Sequence, residues 1–199
     1  MLEVRKMKKW ILAAACSLSL TGCAGLLVAG AATTANIVTD TRTTKEQWQD
    51  SQLEFEVAGL GNKAPFTGNV KATATSFRGK VILIGQAVTE EYKQQFGSQV
   101  NQVEGVQSVS NQLRVRPLLD LQTITHDSWI TTKVKTSLIA NEDLTTVKIK
   151  VITEDGEVFL LGYVTPEQAD LATDITRNIS GVKQVIRAFE ISQPQTQSQ

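Results

Sequence analysis

Seven residues, Gly79-Lys80-Val81-Ile82-Leu83-Ile84-Gly85, return 77 positions later as Gly156-Glu157-Val158-Phe159-Leu160-Leu161-Gly162, so the chain contains an internal duplication. Val88-Thr89 answers to Val164-Thr165, and Gly105-Val106 with Val109 answers to Gly181-Val182 with Val185 at a spacing of 76. Asp50-Ser51 matches Asp127-Ser128, and Val70-Lys71 matches Val147-Lys148. A period of this length exceeds a solenoid repeat and fits two small domains in tandem. The copies span 48–116 and 125–192, with 117–124 as the linker. Modules of this size bury only small cores and are expected to lean on each other.

Ahead of the copies lies an address. Arg5, Lys6, Lys8 and Lys9, the apolar run from Trp10 to Leu20, and Leu20-Thr21-Gly22-Cys23 read as a signal peptide over 1–22, with Met1 or Met7 as the start. A cysteine at that point is the lipobox of bacterial lipoproteins, and Cys23 is the expected lipidation site. The competing reading is an uncleaved membrane helix, since apolar residues continue to Ala32. Each buried acyl methylene contributes about 0.8 kcal/mol, so several chains would hold the protein permanently. Ala24, where aspartate would favour inner-membrane retention, points to the outer membrane, facing the periplasm of a Gram-negative cell. Residues 23–47 read as lipidated terminus and flexible tether, and 193–199 as a disordered tail.

Lys plus Arg number 20, as do Asp plus Glu; removing 1–22 takes four basic residues and one acidic, leaving 16 against 19. That balance argues against non-specific nucleic-acid binding. The other cysteine, Cys16, leaves with the signal, so the mature chain has no disulfide.

Each copy reads as αββαβ, an α+β module in which helices cover one three-stranded mixed sheet. In the second copy Asp127 or Ser128 is expected to cap a helix with Ile130, Val134 and Leu138 on one face. Val147 to Val151 alternates as a strand, Asp155-Gly156 turns, and Val158 to Leu161 is a more buried strand. Thr165-Pro166-Glu167 opens the second helix, and Val182 to Ile191 closes the sheet. In the first copy Leu53, Val57 and Leu60 take the helical core positions, and Pro65 with nearby glycines predicts a shortened helix.

This order, the Gly-x-Val-x-Leu-x-Gly strand, the Val-Thr step and the Gly-Val-x-x-Val entry to the last strand resemble the BON domain. With the lipobox, two copies, and Thr39-Asp40-Thr41-Arg42-Thr43 between, the chain resembles dual-BON outer-membrane lipoproteins over nearly all of its mature length; Asp127 to Lys135 is the most specific stretch. The resemblance implies binding of anionic phospholipids, support of envelope integrity, outer-membrane or divisome protein partners, and neither catalysis nor a cofactor.

The helix at Trp129 is where lipid contact is expected. At about 100° per residue from Trp129, the core residues Ile130, Val134 and Leu138 fall at about 100–180°. Ile139 falls at about 280°, Thr132 at 300°, Thr136 at 340°, Lys135 at 240° and Lys133 at 40°. A tryptophan and an isoleucine among threonines, flanked by lysines, suit a headgroup boundary; the plainer reading packs Trp129 against the other module or the linker. The first copy has Gln52, Glu54 and Glu56 in place of Trp129, Thr131 and Lys133, and is expected to offer no wedge. The second copy holds ten acidic and seven basic residues, so attraction must be local, within about 10 Å. Lys148 and Lys150 either add to it or form a solvated strand face. The linker leucines 118, 119 and 121 are expected to pack between the domains. His126, the sole histidine, has no co-ligand or catalytic motif beside it and reads as capping chemistry. Two other roles stay open: docking onto proteins or the cell wall, and membrane lysis of a haemolytic kind.

Overall fold

A computed structural model describes residues 42–145 and 147–192. The expected signal peptide, Cys23, most of the expected tether and the expected tail lie outside these residues. In the first module, α1 (Thr44–Gly61), β1 (Val70–Phe77), β2 (Lys80–Ala87), α2 (Glu90–Val100), β3 (Ser108–Asn111) and β4 (Arg114–Val115) follow the expected order. The second module has α3 (Leu121–Ile139), a short 3-10 turn (Glu142–Leu144), β5 (Lys150–Glu154), β6 (Glu157–Val164), α4 (Pro166–Arg177) and β7 (Gln184–Ile191). In each sheet the middle strand pairs antiparallel with its hairpin partner and parallel with the closing strand. The first module's closing strand is interrupted at Gln112-Leu113, where Asn111 Oδ1 accepts from Leu113 N, and resumes as β4 beside β2.

Both first helices start earlier than expected. Asp120 caps α3, accepting from Thr123 N at 2.8 Å; Asp127 is therefore a mid-helix residue and half of the expected linker is helical. Threonines and Ile124 in the first turns, poor helix formers, hid this start. Thr43 caps α1 in a reciprocal capping box with Glu46, which draws Thr44 to Gln47 out of the expected tether. Nor is α1 shortened: it has 18 residues against 19 in α3. The loop after it contributes Phe66, buried edge-on to Phe96 with ring centroids 5.0 Å apart. The strand expected from Val147 begins only at Lys150.

The repeated glycines have distinct physical reasons. Gly79 follows Arg78 in a two-residue turn in which both φ values are positive, and Asp155-Gly156 repeats it. At Gly85 a Cβ would lie 2.1 Å from the Lys71 carbonyl oxygen of the paired strand. Each turn is held by a helical aspartate: Asp50 accepts from Arg78 N, Gly79 N and Ser76 Oγ, and Asp127 from Asp155 N and Gly156 N.

Alternation along β2 and β6 explains how the modules meet. Val81, Leu83 and Ala87 face the helices of module one, and Val158 and Leu160 those of module two. The intervening Ile84, Phe159 and Leu161 form a third buried cluster, with Ile82, Ile152, Ile186 and Ala188 against it. The sheets thus pack back to back, giving helix, sheet, sheet and helix layers. Covered on both faces, the middle strands become the near-continuous apolar runs seen in the sequence.

The contact obeys the duplication. Phe77 stacks on Tyr163 at 6.4 Å, and the corresponding pair, Glu154 and Gln86, is a 2.7 Å hydrogen bond. Lys80 pairs with Glu190 at 3.2 Å, and their counterparts Glu157 and Arg114 pair at 2.7 Å with the charges reversed. Reciprocal pairing of this kind marks a two-fold relation between the modules. Arg116, the last residue of the first copy, adds an ion pair to Asp155; in the linker Leu118 and Leu119 are half-buried, and Leu121, expected to pack between the domains, points to solvent.

Candidate functional site

Helix α3 carries one acidic residue, Asp127, and that carboxylate is turned inward to the hairpin. Ile130, Val134 and Leu138 are buried against β5 and β6, as their spacing requires. The opposite side of α3 is therefore free of negative charge. On it Leu121 (78% exposed), Trp129 (61%) and Ile139 (73%) stand in solvent, and Thr132 and Thr136 lie exposed between them. Trp129 packs neither on the first module nor beneath the linker. Lys135 is exposed beside this ridge, whereas Lys133 is half-buried and its ammonium donates to the Ser180 carbonyl, on the flank towards α4. Six of the expected residues are thus on one helix, but Lys133 is tethered to its own domain. Lys148 and Lys150 are elsewhere, beside the first module, where Lys150 pairs with Glu54 at 3.1 Å.

Leu121 is not legible as part of this ridge in the sequence, because the threonines that follow it mask the start of α3 at Asp120. A larger omission concerns the first module. Gln52 and Glu56 are exposed as expected, yet Trp48 (65%) and Phe55 (83%), seven residues apart on one face of α1, also project into solvent. The expectation that this helix lacks a wedge is corrected: its aromatic side chains sit at positions matching Thr125 and Thr132, not Trp129. The seven-residue spacing was a sufficient signal. Because the sheets pack back to back, the α1 and α3 ridges point in opposite directions.

Among the described residues no group of three His, Cys, Asp or Glu side chains is placed to hold a metal ion. No described helix is long and apolar enough to cross a membrane. His126 is exposed, one helical turn before Ile130.

The sequence profile of the BON domain matches residues 49–117 and 126–193. The chain is 40% identical to outer membrane lipoprotein DolP of Haemophilus influenzae over 92% of its own length and 96% of that protein. It is 37% identical to a 21 kDa hemolysin of Actinobacillus pleuropneumoniae, covering 77% of this chain and 80% of the relative. It is 32% identical to osmotically-inducible protein Y of Escherichia coli over 59% and 61% of the two chains. With two matched domains and a full-length relative at this identity, the chain belongs to the BON domain family, as a dual-BON lipoprotein anchored by lipid at the outer membrane.

Proposed function

We propose that this protein is a non-enzymatic, periplasm-facing phospholipid-binding lipoprotein that supports envelope integrity, with the ridge of α3 as its contact to anionic lipid. The observation that carries this reading is the exposure of Leu121, Trp129 and Ile139 together on a helix face without acidic side chains, beside Lys135. An amphipathic aromatic inserts at the headgroup level while lysine meets phosphate. Lipidated Cys23 would keep the ridge at the bilayer. Burying one large side chain is worth roughly 1.5–3 kcal/mol. Trp129→Glu is therefore expected to weaken binding of the lipid-free chain to phosphatidylglycerol vesicles about tenfold or more, measured by co-sedimentation. Unchanged binding would remove α3 from the contact.

The α1 ridge supports a second role. When α3 lies on a bilayer, Trp48 and Phe55 face away from it, and exposed aromatic residues of this kind anchor protein interfaces. Docking of outer-membrane or divisome proteins belongs to that face. The hemolysin relative favours one further test, dye release from the same vesicles; binding without leakage would separate lipid recognition from lysis.

A further inference from the structure

The two-fold relation between the modules predicts two equivalent gaps between the sheets, and the gaps are not equivalent. At one end the Gln86–Glu154 bond and the Arg114 and Arg116 ion pairs draw the sheets together. A pocket of about 210 Å³ remains there, beside Lys71, Thr131 and Glu154. At the other end Phe77 and Tyr163 occupy the positions corresponding to Glu154 and Gln86, and the gap opens to about 910 Å³. Its floor is apolar, formed by Ile82, Leu161 and Ala188. At its mouth Lys80 and Lys150 are held by Glu190 and Glu54 in exposed ion pairs. Lys148 stands exposed there with no acidic partner among the described residues.

We propose that this cleft binds a single-chain anionic amphiphile, the acyl chain lying along Ile82, Leu161 and Ala188 and the carboxylate or phosphate meeting Lys148. A concave apolar space of this size with a few polar groups at one end has the form of a small-molecule site. Four cations, Arg42 and the three lysines, against the carboxylates of Asp50, Glu54 and Glu190 leave one net positive charge in the lining, and exposed ion pairs are weak enough for Lys80 and Lys150 to exchange onto a ligand. Ile82 and Leu161 stand on the middle strands β2 and β6, whose backbones are already paired on both sides, and Ala188 stands on the closing strand β7. These three apolar side chains are the surface along which an alkyl chain would lie. A flat bilayer cannot enter a gap between two sheets, so the ligand is a single molecule and the site is separate from the α3 ridge.

The test uses the chain from Ala24 onward without its lipid, which keeps all described residues, titrated calorimetrically with myristate or with lysophosphatidylglycerol below the micelle concentration. One-to-one binding is expected, with methyl shifts at Ile82 and Leu161 by NMR. Ala188→Phe, which fills the cleft, should abolish it, and Lys148→Glu should weaken it at least about threefold. Trp129→Glu should leave it unchanged while lowering vesicle binding. Binding of both amphiphiles assigns a general anion at Lys148, and binding of the lysophospholipid alone assigns a phosphate. The proposal is overturned if neither amphiphile binds, if Lys148→Glu and Ala188→Phe both bind normally, or if the shifts map to α3.

Discussion

Replacing Asp50 with alanine is expected to lower unfolding stability by about 3–5 kcal/mol, the range for breaking a buried charged network by removing one partner. Its carboxylate is 3% exposed and accepts from Ser76 Oγ at 2.6 Å, Arg78 N at 2.8 Å, Gly79 N at 2.9 Å and Arg42 Nη1 at 2.9 Å. Alanine would strand the Ser76, Arg78 and Gly79 donors, take the carboxylate from the Arg42 guanidinium, and loosen α1 from the hairpin. Asp127→Ala should cost less, because among the described contacts its carboxylate holds only the two turn amides. Urea midpoints of the two variants provide the comparison; equal midpoints would show that the extra partners of Asp50 contribute nothing.

The same carboxylate predicts acid sensitivity. Burial pushes the Asp50 carboxyl up, but the hydrogen bonds from Ser76, Gly79, Arg78 and Arg42 outweigh it, so its folded pKa lies below the ordinary 3.8. A depressed folded value stabilises the protein above that pH, and the contribution is lost as pH falls through the folded pKa. Asp50→Ala should therefore differ most from the parent at neutral pH and converge with it in strong acid. Glu154 acts in the opposite sense. Burial, its largest influence, raises its carboxyl above 4.5 despite the Gln86 bond, so folding favours the protonated form and the ionised one costs stability at higher pH.

Phe159→Ala is expected to cost a further large amount, about 3–5 kcal/mol, the usual toll of a buried phenylalanine with its cavity. Phe159 is 2% exposed and is the largest side chain of the cluster between the sheets. It faces away from its own module's helices, so the loss falls on the contact between modules. Each module has only a small core, and weakening the contact should let one unfold ahead of the other. Urea unfolding followed at Trp48 in one module and Trp129 in the other should then give separate midpoints. A single unshifted transition would show that the modules do not depend on this contact.

Much of this architecture is written in local patterns. Val81 and Leu83, Val158 and Leu160, and the helical Ile130, Val134 and Leu138 declare the faces they bury, because side-chain direction repeats every two residues in a strand and every 3.6 in a helix. Turns were legible at Asp155-Gly156 for the same local reason. The start of α3 was not, since a cap at Asp120 followed by threonines competes with a turn reading. Asp127 reads as a cap in the sequence because its real partners, the hairpin amides of Asp155 and Gly156, are 28 and 29 residues away, as Arg78 and Gly79 are from Asp50.

The sequence by itself determined the duplication, the αββαβ order and the core stripe of each helix. Tertiary structure alone decided what covers the far face of each sheet, since periodicity states which way a side chain points but not what it meets. Back-to-back packing buried Ile84, Phe159 and Leu161, turned the ridges of Trp48 and Trp129 in opposite directions, and left Lys148 at an open cleft. The two halves of that contact differ for a physical reason: Gln86 and Glu154 hydrogen-bond and close one end, while Phe77 and Tyr163 stack and hold the other apart.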